Sequence, residues 1–222
     1  MGSRVSEIKR YQIRVEGIVQ GVGFRPFIYG LAIQSCYSGY VLNDVEGVLL
    51  EIQGQDIDIE NFCQCIRTKA PKASYITNIS YHEIDVICDD KEFIIQKSPQ
   101  GLTKETLISP DLAICEDCKR EIKDKNNRRY QYAFTNCTNC GPRFSIVQDI
   151  PYDRQNTTMK VFPMCKNCED EYTNPLDRRF HAQPNACDIC GPQYKLVADK
   201  VYIANESIKK AHELIKKGAI VA

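Results

Sequence analysis

Eight cysteines fall in four Cys-x-x-Cys pairs, and the set is itself duplicated, which leaves the middle of this chain few ways to fold. The pairs are Cys115/Cys118, Cys137/Cys140, Cys165/Cys168 and Cys187/Cys190. Eighteen residues separate the first pair from the second, eighteen separate the third from the fourth, and the pattern recurs after fifty. Arg128-Arg129-Tyr130 keeps step with Arg178-Arg179-Phe180, and Cys140-Gly-Pro142 with Cys190-Gly-Pro192. Self-similarity at a fixed period marks an internal duplication. A gap of two residues lets both sulfurs of a pair reach one ion, and four thiolates complete a tetrahedral Zn2+ shell. Two Zn2+ modules are therefore expected, with all eight cysteines as metal ligands. A single Cys-x-x-Cys would leave a redox couple open, but four at a repeated spacing do not look like one redox site. Disulfides need an oxidising compartment; an iron–sulfur site is the remaining alternative. The ligands can be shared locally, with 115, 118, 137 and 140 on one ion and 165, 168, 187 and 190 on the other. They can also be nested, with outer pairs on one ion and inner pairs on the second. Duplication favours the local scheme, because each repeat then closes by itself.

The chain has 222 residues, enough for one medium domain or two small ones. Its 29 basic residues balance 29 acidic ones, and backbone-binding proteins usually carry a basic surface. The arginine pairs are flanked by Glu116, Asp117, Glu121, Asp124, Glu169, Asp170, Glu171 and Asp177. They read as a solvated or inter-domain face, with no nucleic acid as partner. No apolar run follows the basic residues of the first ten, and no stretch has the length that spans a membrane. A cytoplasmic location is expected, where reducing conditions suit zinc thiolates. Cys36, Cys63, Cys65 and Cys88 lack metal spacing and read as ordinary free thiols.

In the first hundred residues, Tyr11, Ile13 and Val15 alternate with Gln12, Arg14 and Glu16, the pattern of a half-buried strand. A glycine-rich loop, Gly17 to Arg25, leads to a helix that Pro26 can open and that ends before Gly39. Strands are expected at Tyr40–Asn43 and Val48–Ile52, and near Tyr75–Tyr81 and Glu92–Gln96. A second helix is expected at Asp56–Thr68, where apolar Ile59, Phe62, Cys63 and Ile66 fall at offsets of three, four and seven. Strand, helix, strand, strand, helix, strand is an α+β, split βαβ order with an extra short ending. Glycines let successive N–H groups turn inward, and a helix start adds partial positive charge, so the loop can cradle an anion with Arg25 completing the grip. A plain glycine-rich turn fits the loop alone as well.

Glu16-Gly-Ile-Val-Gln-Gly-Val-Gly-Phe-Arg25 resembles the signature of acylphosphatases, ferredoxin-like enzymes that hydrolyse carboxyl phosphates. Their second signature is matched by Gly39-Tyr-Val-Leu-Asn43 followed by Gly47. The resemblance implies catalytic roles for Arg25 and Asn43, and phosphate binding by Gln20, Gly21, Val22, Gly23, Phe24 and Arg25. Asn43 would orient the attacking water. Phe24-Arg-Pro-Phe27 and the four cysteine pairs together resemble the N-terminus of the carbamoyltransferase family that matures [NiFe]-hydrogenases. So do Phe134 to Phe144, Pro151-Tyr-Asp-Arg154, Thr157-Thr-Met159 and Asp177-Arg-Arg-Phe-His-Ala-Gln-Pro184. This resemblance implies carbamoyl phosphate or another acyl phosphate as substrate, hydrolysed to carbamate and phosphate. It also implies a maturation partner whose C-terminal cysteine accepts the carbamoyl group, and ATP in a domain that begins near residue 200.

The expected divisions are residues 1–98, acylphosphatase-like; 99–143 and 144–199, the zinc modules; and 200–222, the start of an α/β nucleotide-using domain. Ser98-Pro-Gln-Gly101 is the turn-rich break at the first of these. A short helix is expected at Cys115–Ile122. His181 has Gln131 as its counterpart in the first repeat and reads as a buried or domain-contacting histidine rather than a ligand. A last helix is expected from Asn205, capped by Asn205 or Ser207, with Ile208, Ala211 and Ile215 as its apolar stripe, and ended by Gly218. Ala219–Ala222 reads as an apolar strand that stops as it begins, so the chain is expected to be a fragment. A non-catalytic phosphate-recognition domain with a structural zinc docking region is the competing function.

Overall fold

A computed structural model describes residues 7–98, 107 and 109–221. Residues 99–101 of the expected break, residues 102–106 beyond it, the basic start at residues 1–6 and Ala222 lie outside the described residues. The first unit runs β1 (Ile8–Ile18), α1 (Phe24–Gln34), β2 (Ser38–Asn43), β3 (Val48–Gln55), α2 (Ile59–Lys69), β4 (Tyr75–Ile84) and β5 (Phe93–Ile95). Its sheet has the order β4-β1-β3-β2-β5. The first four strands pair antiparallel, and β5 adds in parallel to β2 as the short ending. This is the ferredoxin-like arrangement that the order of elements predicts.

The alternation in β1 sends Tyr11, Ile13 and Val15 into the core beside Val41, Val48, Leu50 and Ile52. The two helices cover that face. α1 buries Phe24, Ile28, Leu31 and Ala32 against it, and α2 buries Phe62, Cys63 and Ile66. Each such large side chain contributes on the order of 2 kcal/mol of transfer free energy. α1 opens at Phe24 rather than at Pro26, because Gly23 takes a left-handed φ of 77° immediately before it. α2 opens at Ile59, three residues later than expected, because Asp58 caps it by accepting from the Asn61 N–H at 3.0 Å. Gly39 has to be glycine: its φ is 129°, and a Cβ there would lie 2.1 Å from the Glu51 carbonyl oxygen.

The opposite sheet face holds a buried ion network. Arg10 donates through Nε and Nη2 to Glu51 Oε2 at 3.0 and 2.8 Å and through Nη1 to Gln53, and it pairs with Asp90. Gln12 and the Tyr40 hydroxyl donate to Glu51 Oε1 at 3.0 and 2.8 Å. The β4–β5 connection closes over this network through paired bonds between Gln53 and the Ile87 backbone. Burial works against ionisation of Glu51, but its donors Gln12, Tyr40 and Arg10 hold its carboxyl below the usual range.

The second region carries two short helices at equivalent positions of the repeats, α3 (Glu116–Lys123) and α4 (Lys166–Thr173). A hairpin of β6 (Lys195–Val197) and β7 (Val201–Ile203) precedes α5 (Ala204–Lys216). Neither Asn205 nor Ser207 caps α5. The helix starts earlier, at Ala204, and the Ser207 hydroxyl donates to the Ala204 carbonyl instead. Residues 219–221 form no strand, and Ile208 and Ile215 of the expected apolar stripe are exposed.

Candidate functional site

The loop between β1 and α1 is held open by its glycines. Gly21 and Gly23 take φ of 74° and 77°, while Val22 and Phe24 anchor the loop by burying their side chains in the core. Helix geometry leaves the N–H groups of Phe24 and Arg25 without intrahelical acceptors, and Pro26 has none to satisfy. The Gln20 side chain is committed elsewhere. It donates to the carbonyls of Asp44 and Gly47 at 2.6 and 2.7 Å and accepts from the Tyr152 N–H at 2.9 Å. Gln20 thus ties the loop both to the β2–β3 turn and to the cysteine-rich region.

Arg25 and Asn43 meet at this loop, and both are buried. The Asn43 amide satisfies its surroundings when its oxygen faces Arg25, accepting from Nε and Nη2 at 3.2 Å each. Asp44 fixes the turn beyond Asn43 by accepting from the N–H groups of Glu46 and Gly47 at 2.9 and 3.0 Å. The opposite wall comes from far along the chain. Arg25 Nη2 lies 2.7 Å from Asp153 Oδ1 and 3.4 Å from the Tyr152 carbonyl. A Cβ on Gly21 would meet Pro142 at 2.7 Å, and one on Gly23 would meet Thr138 at 3.0 Å. The space left between loop and wall is a cavity of about 20 Å³, lined by Arg25 and Asn43 on one side and Tyr152, His181 and Gln183 on the other. The site is thus roofed by the cysteine-rich region.

His181 lines that cavity and also one of about 320 Å³ that Arg25 borders together with Lys97, Asp153, Arg154 and Lys160. The imidazole packs against Phe180 and Tyr172. Burial, followed by the nearby Arg25 charge, pushes its pKa down to about 4, so it is neutral at pH 7. It stands at the contact between the two regions, as a domain-contacting histidine should.

The cysteines form two clusters, 115, 118, 137 and 140 in one and 165, 168, 187 and 190 in the other, with all four sulfurs of each within 4.8 Å of one another. The local grouping is the one present. Bonds of about 2.3 Å to a tetrahedral ion set sulfurs about 3.8 Å apart. Three of the six separations in each cluster are 3.6, 4.0 and 4.0 Å in the first and 3.7, 3.8 and 3.6 Å in the second. These are far too long for disulfides and fit a four-sulfur metal site.

Of the two faces expected for the arginine pairs, solvated or inter-domain, the structure has the second: each pair reaches across to the other repeat. Arg128 donates to Cys168 Sγ at 3.2 Å, and Arg178 donates to Cys118 Sγ at 2.9 Å. Arg129 Nε donates to the Ala186 carbonyl and Arg179 Nε to the Asn136 carbonyl, both at 3.0 Å. Glu171 accepts from Arg128 and Arg129, and Glu121 from Arg178 and Arg179. Burial opposes the charge on Glu171, yet the Arg129 hydrogen bond and the surrounding arginines bring its pKa down to about 2. The two modules are cross-braced, and each neutralises the thiolates of the other. The fifty-residue period and the flanking acids marked these residues, but nothing in the sequence told which repeat each arginine serves.

Family models match at both regions: Acylphosphatase at residues 11–95, and HypF finger at residues 114–147 and 164–197. The carbamoyltransferase HypF of Rhodobacter capsulatus is 45% identical over 158 residues, 71% of this chain and 21% of that protein. The acylphosphatase of Thermotoga maritima is 40% identical over 77 residues, 34% of this chain and 84% of that protein. A crystal structure of full-length HypF in the phosphate- and nucleotide-bound form superposes with a TM-score of 0.84 at 45% identity, covering 98% of this chain and 28% of that one. The chain spans about a fifth of the length of the curated carbamoyltransferases it matches.

Two outcomes are expected from this geometry. Arg178→Gln, in the second repeat, should weaken metal retention by the first cluster, read as faster loss of one metal equivalent to a chelator; equal loss from both clusters would contradict the cross-brace. For His181, the folded pKa of about 4 lies below its ordinary 6.5. Between those values the unfolded chain binds the extra proton, so this contribution is full above pH 6.5 and is lost as pH falls toward 4. Gln131 shares the left-handed backbone of His181, with φ of 57° against 53°. His181→Gln should therefore fold and show a flatter stability profile across that window in urea unfolding.

Proposed function

The chain belongs to the acylphosphatase family through its first domain and matches the HypF carbamoyltransferase family through that domain and the finger region, and on that premise we propose that it hydrolyses carbamoyl phosphate to carbamate and phosphate. The observation that carries this reading is the meeting of Arg25 and Asn43, 3.2 Å apart, at a glycine loop that opens a helix. Arg25 and the N–H groups of Gly21, Val22, Gly23 and Phe24, with that of Gln20, take the phosphoryl oxygens and stabilise their charge as it redistributes. The Asn43 amide holds water in line with the phosphorus. The water oxygen bonds to phosphorus, the bond from phosphorus to the acyl oxygen breaks, and the carboxylate leaves with that electron pair. The water's proton passes to a phosphate oxygen, so no side-chain base is required.

The two cysteine clusters would each hold one Zn2+, which supplies folding free energy rather than chemistry. Cross-braced by the arginines, they form the rigid roof of the site. The divisions at residues 98, 143 and 199 follow from this assignment of roles. By likeness to the carbamoyltransferases, carbamate would pass to an ATP-using domain that begins near residue 200 and be activated there as an adenylate, and a further domain would pass the carbamoyl group to the cysteine of a hydrogenase-maturation partner. No helix among the described residues is long and apolar enough to cross a membrane. Eight reduced thiolates suit a cytoplasmic setting.

Phosphate release from carbamoyl phosphate and acetyl phosphate tests the reading. Arg25→Ala and Asn43→Ala should each lower the rate about 100-fold or more. An unchanged rate in Arg25→Ala would remove the site assignment, and phosphate binding without hydrolysis in the parent would favour a recognition domain.

A further inference from the structure

Two stretches with no role in that reading, Pro151–Arg154 and His181–Pro184, both converge on Arg25. Asp153 is the acidic group among them, and its carboxylate holds Arg25 Nη2 at 2.7 Å with both side chains about nine-tenths buried. A phosphoryl group grips a guanidinium through a two-pronged fork. Here Nη2, one prong of such a fork, is taken by Asp153, while Nε and Nη2 also face the Asn43 oxygen. The cavity of about 20 Å³ beside them has room on the scale of a water molecule. A phosphoryl dianion cannot enter it while Asp153 remains on Arg25.

We propose that Asp153 is the resident counter-ion of the phosphate site, a positioning residue that neutralises Arg25 when the site is empty and must yield when a phosphoryl group binds. The proposal rests on the acylphosphatase reading of this site and adds the finger region to it as the part that sets phosphate affinity. Burying an arginine without a partner is costly, so the carboxylate keeps the empty site folded and Arg25 aimed. The backbone on either side of Asp153 is pinned. Tyr152 N–H is held by Gln20, and the Arg154 guanidinium donates to the carbonyls of Gln183, Asn185 and Phe162 at 2.7, 2.9 and 2.7 Å. The side chain of Asp153 is therefore the part that can swing. The cavity of about 320 Å³ that Asp153 itself lines gives it a place to go, with Lys97, Arg154 and Lys160 along its wall to receive the charge. The same competition returns Asp153 to Arg25 after reaction and helps expel phosphate.

Calorimetric titration of the chain with inorganic phosphate tests this, using the parent, Asp153→Asn, Asp153→Ala, Asp153→Glu and Arg25→Ala. Both neutral substitutions should tighten phosphate binding by about tenfold or more, since one like charge at contact distance is removed from a buried site. Asp153→Glu should stay near the parent value. Tightening is a result that a damaged fold does not produce. Unchanged or weaker binding in the Asn and Ala variants, with Arg25→Ala still abolishing it, would overturn the counter-ion alone. Phosphate binding indifferent to Arg25→Ala, or absent in every form, would overturn the site reading and this inference with it.

Discussion

The sulfur clusters of the finger region are what the rest of the structure depends on. Among the described residues the apolar cluster of the first module is Cys118, Cys137 and Cys140 with Cys115 against them, and the other cluster of the finger region is a small group around Tyr132, Met159 and Ala186. Such an interior cannot offset the entropy of ordering a region of this size by apolar burial. Metal–thiolate bonds can, and the arginines of each repeat then carry that order into the other. Only a region fixed in this way can place Tyr152 and Asp153 against Arg25.

That dependence changes the character of the glycine loop. In a lone domain of this fold the glycine loop would face solvent, and Arg25 would be hydrated. Here Gly21 and Gly23 lie against Pro142 and Thr138, so the absence of side chains serves two purposes at once. It permits the left-handed turn that aims the N–H groups, and it lets the roof approach within contact distance. Exclusion of water strengthens every charge interaction inside the site. It also explains why a carboxylate is needed on Arg25 when no anion is bound.

What the sequence made legible follows from the range over which each signal acts. Alternation in Tyr11–Val15 and the three–four spacing in Ile59–Ile66 are local, and they predicted β1 and α2 to within a few residues. The Cys-x-x-Cys pairs and the fifty-residue period were equally direct. The roof was not legible, because Arg25 and Asp153 lie far apart in the chain and an Asp beside an Arg in sequence announces no partner. The arginine pairs stayed open between a solvated and an inter-domain face for a related reason. A run of charge looks the same whether it is solvated or buried against thiolates and carboxylates. The spacing in α5 predicted a helix correctly, but periodicity says nothing of what covers the stripe, and Ile208 and Ile215 are exposed in this chain.

Amide hydrogen exchange, compared before and after metal is stripped from the chain by a chelator, tests most directly whether the clusters build the roof. The account predicts that residues 20–25 and Tyr152 lose protection together with α3 and α4, while the β1 and β3 amides of the first domain's sheet stay protected. Loss of protection in the finger helices with residues 20–25 unchanged would contradict it, because the glycine loop would then be closed by its own domain.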